Sequence, residues 1–267
     1  MIKETIEIQI PTVAELAAKG ETPEVLFWVG CAGSFDDRYK AVTKAFVKIL
    51  NKVGMKFAVL GPEETCTGDP ARRAGNEFLF QMQAMANIQV MNGYNITKIV
   101  TACPHCFNTL KNEYPDLGGT YEVVHHSQML QDLIDEGKLK LKEGGIFKGK
   151  KITFHDSCYL GRANDVYEAP REVIKALDAD LVEMKRSRKK GLCCGAGGAQ
   201  MFKDAEPGNK EINIERTEEA LDTNASIVAA GCPFCMTMMS DGVKNKEKED
   251  SVQVKDLAEL ISDAEGL

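Results

Sequence analysis

The chain has 267 residues and no apolar run near the ~20 residues needed to cross a bilayer, so no direct membrane insertion is expected. Its opening stretch, MIKETIEIQIPTVAEL, lacks the apolar centre and small-residue cleavage site of a secretory leader. Positive charge is in the minority: 33 Lys and Arg face 40 Asp and Glu, the net charge is −7, and no basic stripe offers a footprint for nucleic acid. No Gly-rich dinucleotide fingerprint follows any predicted strand, because GAGG at residues 195–198 follows a cysteine pair instead; neither nicotinamide nor flavin binding is expected. These absences point to the cytoplasm. There thiols stay reduced, and clustered cysteines more often hold metal than form disulfides.

Cysteine is what the chain has in plenty. There are nine, an odd number that excludes complete pairing within one chain, and they fall into one pattern twice. Cys31, Cys66, Cys103 and Cys106 form the first set; Cys158, Cys193, Cys194, Cys232 and Cys235 form the second. Cys31 and Cys66 shift by 127 onto Cys158 and Cys193 (158−31, 193−66), and Cys103 and Cys106 shift by 129 onto Cys232 and Cys235 (232−103, 235−106). A duplication that keeps its thiols in register reads as two copies of one metal-cluster cradle.

The surrounding pattern alternates strand and helix. Strands are expected at 25–30, 56–60, 98–101, 121–125, 152–154, 180–184, 226–230 and 252–254. Helices are expected at 36–53, at 70–91 without a break, from 103 to about 114, at 128–136 with Ser127 as N-cap, around 170–177 and 210–221, after Cys232, and at 256–263. The fold class is therefore α/β: two pseudo-symmetric repeats with mainly parallel sheets flanked by helices, and the cluster ligands on strand-end loops. The domains are read as an N-terminal extension 1–24, a first cysteine-rich repeat 25–147 and a second 148–267, with the Gly- and Lys-rich stretch 143–151 as the linker. In the extension, Ile6, Ile8 and Ile10 alternate with polar residues, as a short half-buried strand would.

Four thiolates commonly hold a cubane cluster. Each CxxC sits where a strand meets a helix, so backbone N–H groups can face the sulfur. Cys193 and Cys194 are adjacent; they suit different irons of a larger cluster better than one tetrahedral ion. Gly195, Gly197 and Gly198 let backbone approach such a group closely, and Gly68 holds the matching place after Cys66. Two rivals remain. Structural zinc usually takes two CxxC pairs per ion, whereas each half here has one. CPHC at Cys103 also looks like a thioredoxin-type redox pair, but its counterpart CPFC at Cys232 and the matched lone cysteines go unexplained on that reading.

The second half, HDSCYLGR…GLCCGAGG…GCPFC, resembles the cysteine-rich "CCG" domain. That domain occurs twice in the disulfide-cleaving subunits of heterodisulfide reductases, and it recurs in iron–sulfur subunits of lactate, glycolate and anaerobic glycerol-3-phosphate oxidation systems. CTGDPARRAGNEFLFQ, TACPHCFNTLKNEYP and YEVVHHSQ are similar to the heterodisulfide-reductase-related iron–sulfur oxidoreductases of many bacteria. The resemblance covers about Val25 to the C-terminus. It implies that all nine cysteines are metal ligands and that the second site holds a [4Fe-4S] or a non-cubane cluster. Thr67 stands where the second cysteine of the pair would be, and a hydroxyl is a poor iron ligand beside thiolate. The first site is thus expected to hold an ordinary [4Fe-4S] cluster. Many members also carry a ferredoxin-like CxxCxxCxxxCP segment that this sequence lacks. The partners implied are a ferredoxin-type iron–sulfur subunit, a flavoprotein dehydrogenase, or both, with any membrane anchor on a further subunit.

The resemblance thus implies an iron–sulfur oxidoreductase subunit that passes electrons within a larger complex and reduces a disulfide at the second cluster. The alternative is a non-catalytic relay between a flavoprotein dehydrogenase of the lactate, glycolate or acyl-CoA type and a quinone-reducing membrane subunit. His155 is the candidate catalytic proton donor, against a plainer role of hydrogen bonding to sulfur. His125–His126 reads as a satisfied structural pair, Arg72–Arg73 as partners of carboxylates, and Met236, Met238 and Met239 as an apolar wall over the cluster.

Overall fold

The computed structural model describes residues 8–204 and 207–267. Eight short strands make two four-stranded sheets: β1 Val25–Trp28, β2 Phe57–Ala58, β3 Lys98–Thr101 and β4 Glu122–His125 in the first, and β5 Lys151–Phe154, β6 Asp180–Leu181, β7 Ile227–Ala230 and β8 Gln253–Asp256 in the second. All pairings are parallel, and the two orders match: β2-β1-β3-β4 and β6-β5-β7-β8. The register repeats as well. Leu26 pairs with Ile99, and Thr153 with Val228, the positions that shifts of 127 (153−26) and 129 (228−99) predict.

A parallel sheet covered on both faces needs strands apolar throughout. VLFW of β1 and IVAA of β7 are buried at every position. Successive side chains point to opposite faces. Val25 and Phe27 enter one core while Leu26 and Trp28 enter another. The first core is shared between the halves: Phe27, Phe46 and Leu50 pack with Ile152, Phe154, Ile174, Leu257 and Ile261. Helix Leu257–Glu265 of the second half lies against helix Asp37–Lys52 of the first. The two repeats therefore fold around one common interior.

Polar groups close the same interface. His126 Nε2 lies 2.8 Å from Asp256 Oδ1, and His125 Nε2 lies 3.0 Å from the Gly231 carbonyl, with both imidazoles and the carboxylate buried. His125 Nδ1 accepts the backbone N–H of Ser127 at 3.3 Å. The N-cap of helix His126–Asp135 is therefore the His125 imidazole, reciprocated by Gln128, and not Ser127 as the sequence pattern suggests. Asp256 caps the equivalent helix of the second half in the same way, with Glu259.

Two further expectations change. The single helix over 70–91 is two, Asp69–Arg73 and Glu77–Gly93. Gly75 adopts φ +87° and Asn76 caps the second helix, accepting from Leu79 N–H at 3.1 Å, so a tight turn re-aims the chain after Cys66. Ile8 and Ile10 are exposed and form no strand; Ile6 lies outside the described residues. The residues that bury are Val13 and Leu16 of a short helix, Val13–Ala18, which packs on the outer core of the first half. Its start makes a single parallel bridge, Thr12 to Val59, beside β2.

Helix Pro233–Asn245, which carries Cys235, is clamped onto helix Ile212–Leu221 at Gly242. A Cβ there would overlap Thr217 Oγ1 and stand 2.9 Å from Thr217 Cβ. Rotating the hydroxyl away leaves the contact with Thr217 Cβ, so the clash cannot relax by rotation alone. Gly242→Ala should destabilise the fold by about 1–3 kcal/mol through overpacking, despite alanine's better helix propensity, as read by urea unfolding.

Candidate metal centres and the space between them

Each cysteine follows the C-terminal end of a parallel strand, the edge where ligands gather in such sheets. Cys31 follows β1, Cys66 follows β2, and Cys103 and Cys106 follow β3; Cys158, Cys193–Cys194 and Cys232/Cys235 follow β5, β6 and β7. Pro104 and Pro233 each occupy the first turn of a helix that opens at a CxxC, where the missing N–H costs nothing.

The first four thiols line one pocket, with Thr67, Asp69 and His105 on its wall. Cys31 is exposed, Cys66 half-buried, and Cys103 and Cys106 are buried. In the second set Cys158 and Cys193 are half-buried while Cys194, Cys232 and Cys235 are buried among Ala196, Phe234 and Met238. Met238 alone of the three expected methionines joins that wall; Met236 belongs to the shared core and Met239 to a small cluster with Met184 and Val228.

The glycines after the lone cysteines behave alike. Gly68 N–H donates to Cys66 Sγ at 3.5 Å and Gly195 N–H to Cys193 Sγ at 3.3 Å. Both have positive φ, +88° and +93°. At Gly68 a Cβ would also stand 2.8 Å from the Phe80 ring. Gly197 meets nothing within 4 Å and has no left-handed φ; Gly198 has φ +66° in open space. Matching thiols ionise first as well. The Cys66 thiol is lowered to about 6, mainly because the Cys31 thiol donates to it, and Cys193 is lowered mainly by Cys158 and then Cys194. Cys31 and Cys158, the donors, are raised.

Thr67 occupies the place of Cys194. Its Oγ1 lies 4.0 Å from Cys106 Sγ, while Cys194 and Cys235 sulfurs lie within 4.8 Å of each other and of a ring nitrogen of His155. Among the described residues this is the one trio of ligand atoms so close. In the first pocket no three ligand atoms lie within 4.8 Å of one another, as thiolates sharing a single zinc at ~2.3 Å would. The donor set suits a group larger than one ion.

His155 is fully buried, and its Nδ1 accepts Arg216 Nε–H at 3.0 Å. Burial first, and then the Arg216 cation, pull its pKa down to about 3, so the ring is neutral and carries its hydrogen on Nε2. Arg216 is itself held by Glu219 at 2.7 Å and by the Arg186 carbonyl at 2.7 Å. Arg171, also buried, grips both carboxylate oxygens of Asp156 at 2.8 and 2.9 Å and fixes the turn into Cys158.

Aromatic side chains fill the space between the two centres. His105 of the first CxxC stacks on Tyr159, next to Cys158, with centroids 4.3 Å apart, and meets Phe234 of the second CxxC edge-on at 4.9 Å. Its Nδ1 lies 2.8 Å from Asp69 Oδ2. Burial is the largest influence and works against a charged ring, but the Asp69 hydrogen bond together with the negative charges of Cys232 and Asp69 outweighs it, and the His105 pKa is raised. Asp69 in turn accepts from Arg73 Nε at 3.0 Å, and Arg72 donates to Glu113 at 2.8 Å, so both arginines meet carboxylates as expected. Sequence reasoning misses Asp69, Tyr159, Arg171 and Arg216. The first two carry no spacing signal, and the two arginines lie in helices with no cysteine nearby in the sequence.

Two thiol-rich cradles related by an internal repeat, on the strand-end edges of twin parallel sheets, define a duplicated cysteine-rich metal-centre protein. The cysteine-rich domain model matches residues 25–111 and 152–240, and the chain belongs to that CCG family. It is 49% identical over 260 residues to the "Probable iron-sulfur-binding oxidoreductase FadF" of Bacillus subtilis, covering 97% of this chain and 36% of that protein. It is 46% identical to the "EtfAB:quinone oxidoreductase" of Syntrophomonas wolfei, covering 92% of this chain and 35% of that one. It is 35% identical to one subunit of the "Dihydromethanophenazine:CoB--CoM heterodisulfide reductase" of Methanosarcina barkeri, covering 91% of this chain and 59% of that subunit. The chain thus spans about a third of the length of the first two and somewhat over half of the third. No helix among the described residues is long and apolar enough to cross a membrane.

The glycines separate into two kinds. Gly195→Ala should cost about 1–2 kcal/mol, because an L-residue is forced into left-handed backbone, and should weaken metal retention at the second site only. Gly197→Ala should stay within about 0.5 kcal/mol of the parent. Urea unfolding and metal content of the two variants check this.

Proposed function

We propose that this chain is the iron–sulfur electron-transfer unit of a larger oxidoreductase complex, with one cluster in each cradle. The observation that carries the reading is the contact between the sites: His105, Tyr159 and Phe234 bring the first CxxC against both the Cys158 and the Cys232 side of the second cradle. The first cradle, Cys31, Cys66, Cys103 and Cys106, would hold a [4Fe-4S] cluster, Thr67 contributing no ligand. The second, Cys158, Cys193, Cys194, Cys232 and Cys235, would hold a [4Fe-4S] or a larger non-cubane cluster. When bound, such clusters accept and release single electrons. The residues of the chain do the rest. Gly68 and Gly195 donate backbone N–H to sulfur, Phe234 and Met238 exclude water, and the His105–Tyr159–Phe234 contact sets a short, rigid separation between the centres.

An electron partner would dock at the mouth of the first cradle. Cys31 and Cys66 border an open pocket with Phe35, and Cys66 borders another with Leu79 and Phe202. Phe35, Phe78, Met82 and Phe202 are exposed, as an interaction face requires. A ferredoxin-type iron–sulfur subunit, a flavoprotein dehydrogenase or both would be that partner; the name "EtfAB:quinone oxidoreductase" supports quinone as the acceptor beyond it. Disulfide reduction at the second cradle is the second reading; the complete five-cysteine set with Cys158 and Cys193 half-exposed favours it.

Protein purified without oxygen should carry iron and acid-labile sulfide and give two paramagnetic signals on reduction. Cys194→Ser should alter one and leave the other. Zinc in place of iron after expression in iron-replete medium would defeat the proposal.

A further inference from the structure

Trp28 closes β1, and a shift of 127 places it on His155, which follows β5 (155−28). Both rings therefore leave equivalent strand ends beside equivalent cysteines. Trp28 is the only tryptophan in the chain, and it is fully buried. Its indole Nε1–H has no hydrogen-bond partner. A buried donor left unpaired is costly, so such groups are uncommon and call for an explanation.

The place of that donor is informative. Gly30 separates it from the first cradle. A Cβ built on Gly30 would stand 4.0 Å from Trp28 Nε1 and 3.4 Å from Cys106 Sγ. Gly30 has φ +75° and lines the thiol pocket, so the residue between indole and sulfur is one with no side chain to intervene. In the second half the equivalent ring nitrogen donor is His155. Its Nδ1 is occupied by Arg216, which leaves the hydrogen on Nε2, and a ring nitrogen lies within 4.8 Å of the Cys194 and Cys235 sulfurs.

We propose that the Trp28 indole N–H donates a hydrogen bond to a sulfide of the group held in the first cradle, on the side of Cys106, and makes that centre easier to reduce. The inference rests on the iron–sulfur reading above. Reduction adds negative charge at sulfur, and a donor aimed at it stabilises the reduced state more than the oxidised one. His155 does the equivalent work in the second cradle, with Arg216 fixing its tautomer. The two centres thus differ in their ring donor, indole against imidazole, as well as in Thr67 against Cys194.

Trp28→Phe keeps an aromatic ring and removes the N–H. In the anaerobically purified chain, iron and sulfide content should stay intact and the second-site signal should not move. The reduced-to-oxidised ratio of the first site at a fixed potential should fall about tenfold, which is about 59 mV for one electron. An unchanged ratio in a fully loaded variant would overturn the proposal. If the variant does not fold or loads no iron, the parent protein decides. Grown with ¹⁵N-indole tryptophan, it holds one labelled indole nitrogen. Pulsed paramagnetic resonance of the reduced first site should then show ¹⁵N coupling and an exchangeable proton that disappears in deuterated water. A loaded first site silent in both would overturn this inference alone. A chain in which Cys31, Cys66, Cys103 and Cys106 take up no iron–sulfur group would end it together with the functional reading.

Discussion

Nine cysteine sulfurs crowd into two small regions of a protein that already carries a net charge of −7, five of them buried, and the chain must offset that prospective negative charge. Ionised thiols at close range repel one another in a medium of low dielectric. The structure supplies compensation from fixed dipoles more than from cations. Gly68 and Gly195 aim backbone N–H at sulfur. The CxxC motifs open helices, whose first N–H groups are free. The guanidinium of Arg216 stays one residue back, behind the neutral ring of His155. The thiols also share protons among themselves: Cys66 and Cys193 are lowered mainly by the Cys31 and Cys158 thiols and further by the glycine N–H groups, while Cys31 and Cys158 are raised.

That arrangement depends on the two halves forming one interior. Phe27 and Phe46 pack with Phe154 and Leu257 in a common core, and His125 and His126 reach across to Gly231 and Asp256. Gly231 immediately precedes Cys232, so the end of β4 in the first half holds the Cys232 loop of the second. The His105–Tyr159–Phe234 contact is thereby fixed from both sides, and the distance between the centres follows from the fold.

Much of this was legible in the sequence, for identifiable reasons. Fully buried parallel strands read as apolar runs, so Val25–Trp28, Lys98–Thr101 and Ile227–Ala230 could be placed within a residue or two. The shifts of 127 and 129 carried over to the sheet register itself. The break between Arg73 and Glu77 was hidden because one glycine in an otherwise helical pattern is ordinarily tolerated; here Gly75 takes φ +87° and Asn76 starts a new helix. The cap at His125 was missed because imidazole is an uncommon capping group. Asp69, Arg171 and Arg216 act through tertiary contacts, and local spacing carries no trace of those. Trp28 did leave a trace. The shift that relates the cysteines also relates it to His155, but only the buried, unpartnered indole N–H gives that coincidence a meaning.

We propose that each half holds its own iron–sulfur centre. Crystals grown without oxygen and measured across the iron absorption edge test it most directly. The account predicts two separate iron peaks, one ringed by Cys31, Cys66, Cys103 and Cys106 and the other by Cys158, Cys193, Cys194, Cys232 and Cys235, with His105 between them. A single peak, or anomalous signal at the zinc edge instead, would contradict it.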